Sequence, residues 1–316
     1  MTAITKVSFV GIGNMGAPMA AHLIERGFDV TVFDVRREAV REFVNAYGGK
    51  LAISLAEAGR TAQAAITMLP DHTSVREALL ENEGIASALE SGAIAIDMST
   101  SDPRATVSIG DELAQRGIGY LDAPVMGGVV FAKDATLDIL VGGDDAQIEQ
   151  CMPLFMAMGR HVFRCGPLGS AHALKLLANY VNASTLVVVL EAMAVGLKFG
   201  LDMRSMTDAL ASMCCGRQHP LEKKVIPQVL TRKFGTGMAL GLMAKDVALA
   251  ADFADAIGAA SPLAGCMRQI WTDAAARIGS KADHTEIVQL WEDAIGAKLD
   301  DGSMQSHWPK RTPRPK

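Results

Sequence analysis

The sequence has few cysteines, few aromatic residues and no excess of positive charge. Its five cysteines are an odd number without metal-binding spacing, which argues against a disulfide framework or a zinc site. The formal net charge of −5 gives no indication of nucleic-acid or membrane binding. The longest apolar stretch, residues 183–197, contains Glu191 and is too short to span a bilayer. Since no signal peptide precedes the first predicted strand, we expect a cytoplasmic protein with reduced thiols.

The 316 residues, of which 49% are hydrophobic, are enough for two domains with separate cores. Up to about residue 165, short β-branched runs alternate with helical patterns such as Ala146–Met158, as in βαβ units. After Gly169, long helical patterns replace this alternation, and they include Pro220–Leu230 and Thr285–Ile295. We therefore predict an α/β protein with an N-terminal doubly wound Rossmann domain over residues 1–165, an all-α domain over 166–299 and a flexible tail over 300–316. The predicted strands are Val7–Val10, Val30–Phe33, Ala64–Leu69, Ala93–Met98, Tyr120–Ala123, Leu137–Val141 and His161–Arg164.

Residues 7–34 contain a glycine-rich turn between a predicted strand and a predicted helix. Gly11 permits a tight turn, Gly13 lets the backbone approach a pyrophosphate, and Gly16 allows close packing of the helix on the strand. Asp34 ends the second strand, where an acidic residue binds the ribose hydroxyls of a dinucleotide. The alternative is a glycine-rich turn without a ligand. The predicted cofactor-binding residues in this region are Gly11, Ile12, Gly13, Asn14, Met15, Gly16, Asp34 and Arg36.

Three later segments carry residues suited to chemistry. Residues 122–128 contain paired glycines after a predicted strand, where backbone N–H groups can hold an anion, although an ordinary turn has the same pattern. Lys175 and Asn179 share one helix face; the apolar neighbours Leu174, Leu176 and Leu177 would disfavour the charged form of the lysine, which suits a general acid–base. A lysine that reaches from a buried helix to water is the alternative. Lys245 precedes Asp246. The lysine either reaches the cofactor or forms an ion pair on the surface of a helix.

These segments together resemble the β-hydroxyacid dehydrogenase family, which includes 3-hydroxyisobutyrate dehydrogenase, tartronate semialdehyde reductase and sulfolactaldehyde reductase. The resemblance extends from about residue 6 to residue 295. It implies that Lys175 is the catalytic lysine, that Asn179 binds the substrate and that Lys245 approaches the cofactor. It also implies that Met68, Leu69, Pro70 and Thr100 line the cofactor cleft, and that Gly216, Arg217 and Gln218 contribute to the substrate pocket.

The sequence departs from the family pattern at Met126, where the family usually has a serine whose hydroxyl helps to hold the substrate carboxylate. A thioether cannot donate a hydrogen bond. A substrate carboxylate would then rely on the backbone N–H groups of Gly127 and Gly128 and on Asn179, or the substrate differs. We therefore count Met126, Gly127, Gly128 and Asn179 as predicted substrate-binding residues.

The resemblance implies reversible NAD(P)-dependent oxidation of a small 3-hydroxy acid to its semialdehyde, with Lys175 as general acid–base and without a metal. The alternatives are a reductase of a short-chain semialdehyde, such as tartronate, succinate or sulfolactaldehyde, and a non-catalytic nucleotide-binding protein. NAD is favoured because Asp34 repels a 2′-phosphate, but Arg36 and Arg37 could offset that repulsion in favour of NADP. The expected partners are a small hydroxy acid or semialdehyde and further copies of the chain, in a homodimer or homotetramer.

Overall fold

The computed structural model describes residues 3–81, 83–199, 201–214, 220–235, 237–256 and 262–300. Residues 216–218, and the expected tail beyond residue 300, lie outside the described residues. Residue contacts divide the chain into two compact units, Met1–Leu176 and Leu177–Lys316. The division lies inside a helix, later than the expected boundary at residues 165 and 166. The start of this helix belongs to the first unit because the backbone N–H groups of Gly169 and His172 both donate to the Asp122 carboxylate.

A nine-stranded sheet forms the centre of the first unit. Its strands are β1 (Lys6–Val10), β2 (Asp29–Phe33), β3 (Lys50–Leu51), β4 (Ala64–Thr67), β5 (Ile94–Asp97), β6 (Gly119–Asp122), β7 (Val125–Met126), β8 (Leu137–Gly142) and β9 (Gly159–Gly166). The order is β3-β2-β1-β4-β5-β6-β8-β7, and β9 pairs with β8. The pairings of β8 with β6 and β7 are antiparallel, and the other pairings among these strands are parallel. The sequence did not predict β3 and β7, which have two residues each and are too short to show alternation.

Helices connect these strands, and a side chain caps most of them. They are α1 (Gly16–Glu25), α2 (Arg37–Tyr47), α3 (Leu55–Gly59), α4 (His72–Leu80), α5 (Pro103–Ala114), α6 (Val129–Lys133) and α7 (Asp145–Met158). A short 3₁₀ turn covers Ile85–Ser87. The side chains of Ser54, Asp71, Asp102 and Asp144 each accept a backbone N–H bond at the start of a helix. Helix α1 has no such side-chain cap.

Two buried apolar clusters cover the two faces of the sheet. Phe9 packs in one cluster with Met19 of α1, whereas the next strand residue, Val10, packs in the other with Leu79 of α4. Because successive side chains of a strand point to opposite faces, helices cover both sides of the sheet. The prediction of a doubly wound, mostly parallel sheet is confirmed.

The second unit is helical around a core that contains the fully buried Trp271. Its helices are α8 (Ser170–Phe199), which begins in the first unit, α9 (Met203–Cys214), α10 (Leu240–Ala256), α11 (Pro262–Ile278) and α12 (Gln289–Ile295). The helix predicted near residues 220–230 has π-helical geometry over Leu221–Val229. The helix predicted from residue 285 begins instead as a 3₁₀ turn, His284–Val288, before α12.

Candidate active site

The glycine loop between β1 and α1 is closely packed at two of its three glycines. Gly11 has a φ of 93°, and a Cβ there would collide with the Met68 carbonyl oxygen. A Cβ at Gly16 would collide with the Gly11 carbonyl oxygen. At Gly13, in contrast, a Cβ would meet the Arg36 guanidinium only at 4.0 Å. The loop is therefore tight at its ends and open at Gly13, where a pyrophosphate would have to approach the backbone.

The start of α1 is suited to an anion. Met15 is its N-cap residue and makes no side-chain cap, and the first turn contains no acidic side chain. The first N–H groups of a helix have no helical partners, and the helix dipole is positive at this end. Ile12, Gly13 and Asn14 line one end of a cavity of about 640 Å³ that continues between α1 and α2. These residues fit the phosphates of a dinucleotide cofactor.

Asp34 lies directly after β2 and forms hydrogen bonds with both the glycine loop and the start of α2. Its Oδ2 accepts a hydrogen bond from the Ile12 N–H at 3.0 Å, and its Oδ1 accepts from the Arg36 N–H at 2.9 Å. The Arg36 side chain also donates to Oδ1, from Nε at 3.3 Å, and is otherwise largely exposed. Because Oδ1 accepts two bonds whereas Oδ2 accepts only one, the second lone pair of Oδ2 can still accept a bond from a ribose hydroxyl.

The other residues expected to line a cofactor cleft lie on the two loops next to the glycine loop. Met68, Leu69 and Pro70 follow β4, and Thr100 follows β5. The Leu69 N–H donates to the Ser99 side chain at 2.9 Å, which joins the two loops. Because β1, β4 and β5 are neighbours in the sheet, these loops meet at the carboxyl edge of the strands, where open α/β sheets bind ligands.

Lys175 and Met126 are in direct contact. The Lys175 ammonium donates to the Met126 sulfur, Nζ to Sδ, at 3.2 Å, and Lys175 is only 8% exposed. Of the neighbours expected to surround the lysine, Leu176 is buried, whereas Leu174 and Leu177 are exposed. That expectation was wrong for two of the three residues because consecutive positions of a helix point in different directions.

Gly127 and Gly128 follow Met126 in conformations that favour glycine, with φ values of 123° and 79°. A Cβ at Gly127 would lie 2.7 Å from the Phe131 side chain, whereas a Cβ at Gly128 would have no neighbour within 4 Å among the described residues. The backbone is therefore open at Gly128, where α6 begins.

In the second unit, one buried carboxylate binds both of the residues that the sequence singled out there. The Asn179 amide donates to Asp246 Oδ2 at 2.7 Å, and the Lys245 ammonium lies 3.1 Å from Asp246 Oδ1. Asp246 is 2% exposed, so this ion pair is not the exposed surface pair considered as an alternative. The Asn179 amide retains a second N–H and its carbonyl oxygen for another partner.

The sequence did not single out a group of fully or almost fully buried polar residues in the first unit. We call it the buried polar cluster: Asp97, Ser99, Thr106, Asp122 and His172. Asp97 and Asp122 each end an apolar strand, and this position was the available signal in the sequence. His172 lies three residues before Lys175 on α8.

The described residues contain neither a metal-binding cluster nor a membrane-spanning helix. No group of three or more His, Cys, Asp and Glu side chains there is arranged to hold a metal ion. No helix in the same part of the chain combines the length and the hydropathy needed to cross a membrane.

Comparison with known proteins places the chain in a family. A family model described as the NAD-binding domain of 6-phosphogluconate dehydrogenase matches residues 6–166. A second model, for the NAD-binding region of NADP-dependent 3-hydroxyisobutyrate dehydrogenase, matches residues 169–291. Human mitochondrial 3-hydroxyisobutyrate dehydrogenase is 33% identical over 292 residues, which cover 90% of this chain and 86% of that protein. The chain belongs to the β-hydroxyacid dehydrogenase family.

This β-hydroxyacid dehydrogenase has further relatives with similar sequence identity and coverage. NAD-dependent L-serine dehydrogenase of Pseudomonas aeruginosa is 34% identical over 263 residues, which cover 82% of this chain and 88% of that protein. A solved structure of 3-hydroxyisobutyrate dehydrogenase from Mycobacterium tuberculosis with L-serine has a TM-score of 0.81 and 30% identity, and covers 91% of this chain and 99% of that one. The family resemblance is confirmed, and the chain is an NAD(P)-dependent oxidoreductase.

Proposed function

We propose that this oxidoreductase catalyses the reversible oxidation of a small 3-hydroxy acid, similar to 3-hydroxyisobutyrate, to its semialdehyde, with Lys175 as general acid–base. The observation that carries the proposal is the placement of Lys175. Its side chain is buried, and its ammonium lies against a sulfur beyond the carboxyl end of β6. A thioether is a weak acceptor and a lysine ammonium has three N–H donors, so this contact is compatible with proton exchange with a substrate oxygen.

In the oxidative direction, the neutral Lys175 amine takes the proton of the substrate hydroxyl while the carbonyl double bond forms. When bound, NAD(P)⁺ accepts the hydride that leaves the carbinol carbon. In the reductive direction, the Lys175 ammonium returns the proton to the oxygen of the carbonyl group as that carbon is reduced. A positioned acid–base of this kind contributes roughly a hundredfold or more to the rate.

We propose that the substrate carboxylate binds to backbone N–H groups of Gly127 and Gly128. The open backbone at Gly128 supports this assignment. Met126 supplies a soft, apolar wall beside Lys175, so we expect a substrate that carries a small apolar or uncharged group near the carbinol carbon.

We propose NAD as the preferred cofactor. Asp34 Oδ2 keeps acceptor capacity for a ribose hydroxyl, and the negative charge of Asp34 opposes a 2′-phosphate. Arg36, the cation that could favour NADP, forms an ion pair with Asp34.

The test is a set of initial rates with NAD and NADP over 3-hydroxyisobutyrate, 3-hydroxypropionate, glycerate, L-serine and 4-hydroxybutyrate. L-Serine is included because it appears in the names of the Pseudomonas relative and of the Mycobacterium structure. We expect Lys175→Ala to reduce kcat by a hundredfold or more on the best substrate while cofactor binding stays near normal. Lys50→Ala, which removes a lysine from an exposed ion pair with Asp29, is the matched control and should keep its activity.

Near-normal turnover by Lys175→Ala would exclude the lysine as acid–base. Faster reduction of tartronate or succinate semialdehyde than oxidation of any hydroxy acid would assign the enzyme as a semialdehyde reductase that uses the same chemistry in reverse. Cofactor binding without turnover in either direction would assign a nucleotide-binding role.

A further inference from the structure

The imidazole of His172 is fully buried in the first unit and uses both of its nitrogens. Its Nε2 lies 3.2 Å from the Ser99 carbonyl oxygen, and because a carbonyl only accepts, this nitrogen carries the proton. Its Nδ1 lies 2.7 Å from the Thr106 hydroxyl. The Thr106 hydroxyl is also 3.1 Å from the Asp102 carbonyl oxygen. His172 therefore joins α8 to two separate segments, the loop after β5 and helix α5.

Asp122 fixes the start of α8 from a second direction. Its Oδ1 accepts from the Gly169 N–H at 2.8 Å, and its Oδ2 accepts from the His172 N–H at 2.8 Å. These are N–H groups at the start of a helix, which otherwise lack partners, and a carboxylate is favoured there. Because Lys175 follows His172 by less than one turn, the position of this first turn sets the position of the lysine.

The loop after β5 is itself held in one conformation by Asp97. The Asp97 carboxylate accepts from the Thr67 hydroxyl at 3.0 Å, the Ser99 N–H at 3.0 Å and the Ser101 hydroxyl at 2.7 Å. The Ser99 side chain in turn accepts from the Leu69 N–H at 2.9 Å. The buried polar cluster thus connects the loops after β4 and β5 to the start of α8.

We propose that His172 is a positioning residue that fixes the position of Lys175 relative to the loops after β4 and β5. The inference rests on the proposed acid–base role of Lys175 and on the assignment of those loops to the cofactor. A displacement of about 1 Å between reacting groups can reduce a rate by about a hundredfold, so a buried link between the two loops and the lysine has a direct effect on kcat. His172 contributes to turnover through Lys175.

The matched pair Thr106→Val and Thr106→Ser tests this link with little change in side-chain volume. Valine has the shape of threonine without the hydroxyl, so it removes the partner of His172 Nδ1, whereas serine keeps the hydroxyl. We expect Thr106→Val to lower kcat about tenfold, leave the KM for NAD unchanged and shift the pH profile of kcat/KM. Thr106→Ser should retain most of the wild-type activity. His172→Gln is the second variant and should behave as Thr106→Val does.

Cys151→Ala is the control for a purely structural effect, since Cys151 is fully buried on α7 in the same unit. It should lower Tm without changing kcat or the pH profile. If Thr106→Val and His172→Gln also lower only Tm, the cluster serves stability alone and the proposal is overturned.

A second measurement does not depend on turnover. The rate at which formaldehyde and borohydride methylate Lys175, followed by mass spectrometry of its peptide, reports the environment of the amine directly. A changed rate in Thr106→Val but not in Thr106→Ser supports the positioning role even if no substrate in the panel reacts. Unchanged rates in both His172→Gln and Thr106→Val contradict it. A wild-type enzyme without turnover counts against the proposed function instead.

Discussion

At the scale of single residues, Asp34 combines two tasks that are usually considered separately. Its carboxylate fixes the glycine loop through the Ile12 N–H, and it also forms an ion pair with Arg36. The same charge that orders the loop therefore also reduces the availability of Arg36 for a 2′-phosphate. We therefore expect this pair of residues together to set the cofactor preference.

We expect Asp34→Asn to reduce the ratio of kcat/KM for NAD to that for NADP by at least tenfold. The change removes the negative charge that opposes a 2′-phosphate and leaves Arg36 free to bind it. Hydrogen bonds to charged groups contribute about 1.5–3 kcal/mol each, and a tenfold change corresponds to about 1.4 kcal/mol. The measurement is the initial rate with each cofactor at a fixed substrate concentration.

Asp29→Asn is the matched control for Asp34→Asn, since it removes a carboxylate from the opposite end of β2, where Asp29 pairs with Lys50 on the surface. It should leave the cofactor ratio unchanged. An unchanged ratio in Asp34→Asn as well would show that this carboxylate does not discriminate between the two cofactors.

The roles of individual residues were predictable from the sequence where the interactions that require them lie within one short segment. Gly11 is required by its φ of 93° and Gly16 by its contact with the Gly11 carbonyl oxygen, both within one strand–turn–helix segment. The surroundings of Lys175 were not predictable in this way, because its contact with Met126 joins residues 49 positions apart. Helical spacing shows which residues share a face, but not what that face meets.

At the scale of elements, the 3₁₀ turn His284–Val288 stands out because it buries an ionisable side chain. A capping box fixes its start: Asp283 accepts from the Thr285 N–H at 2.9 Å, and Glu286 accepts from the Asp283 N–H at 3.0 Å. The His284 imidazole lies 3.1 Å from the Met238 carbonyl oxygen. The pKa of His284 is lowered to about 4, chiefly by burial and also by the positive charge of Lys224, while the Asp283 carboxylate and the hydrogen bond to the Met238 carbonyl oppose the shift.

This shift predicts that the second unit loses stability as the pH falls from about 6.5 towards 4. In that range the unfolded chain, with an ordinary histidine pKa near 6.5, binds a proton that the folded chain does not, so protonation favours unfolding. At about 1.4 kcal/mol per pKa unit, the full loss is about 3 kcal/mol. Urea unfolding of the wild type and His284→Gln at pH 7 and pH 5 would measure it, with the smaller pH dependence in the variant.

Two carboxyl groups of the same unit contribute little between pH 7 and pH 5. The pKa values of Asp283 and Glu292 are lowered from ordinary values of 3.8 and 4.5, by side-chain and backbone hydrogen bonds that outweigh burial. The stability that they contribute is lost as the pH falls from those ordinary values to the lowered ones. Equal pH dependence in the wild type and His284→Gln would therefore show that His284 is not responsible.

Helices of several turns and strands with an uninterrupted β-branched run were predicted close to their observed bounds. Shorter or irregular elements were not. Helix α7 and strand β2 belong to the first group. The strands β3 and β7 have too few residues to show a period, and apolar spacing did not distinguish the π-helical turn Leu221–Val229 from an α-helix. The buried polar cluster escaped prediction because its members come from different strands and helices, which meet only in the folded chain.

At the scale of the whole molecule, the two units differ in what changes their stability: cofactor binding is expected to act on the first unit, and protonation of His284 on the second. The glycine loop and Asp34 belong to the first unit, whose core covers both faces of the sheet. His284 belongs to the second unit, whose core contains Trp271. A chain with two cores need not unfold in one step, and conditions that act on one core can separate the two transitions.

We therefore expect NAD and acid to act on different unfolding transitions in calorimetry. A cofactor at a hundred times its Kd stabilises the unit that binds it by about 2.7 kcal/mol, which raises the Tm of a unit of this size by roughly 5–10 °C. A change from pH 7 to pH 5 should lower the Tm of the second unit instead, through His284. At pH 5 with saturating NAD, two transitions should be resolved, and Asp34→Asn should reduce the cofactor-dependent shift of the upper one. A single transition that moves as a whole under both conditions would show that α8, which runs from one unit into the other, makes the chain unfold as one cooperative body.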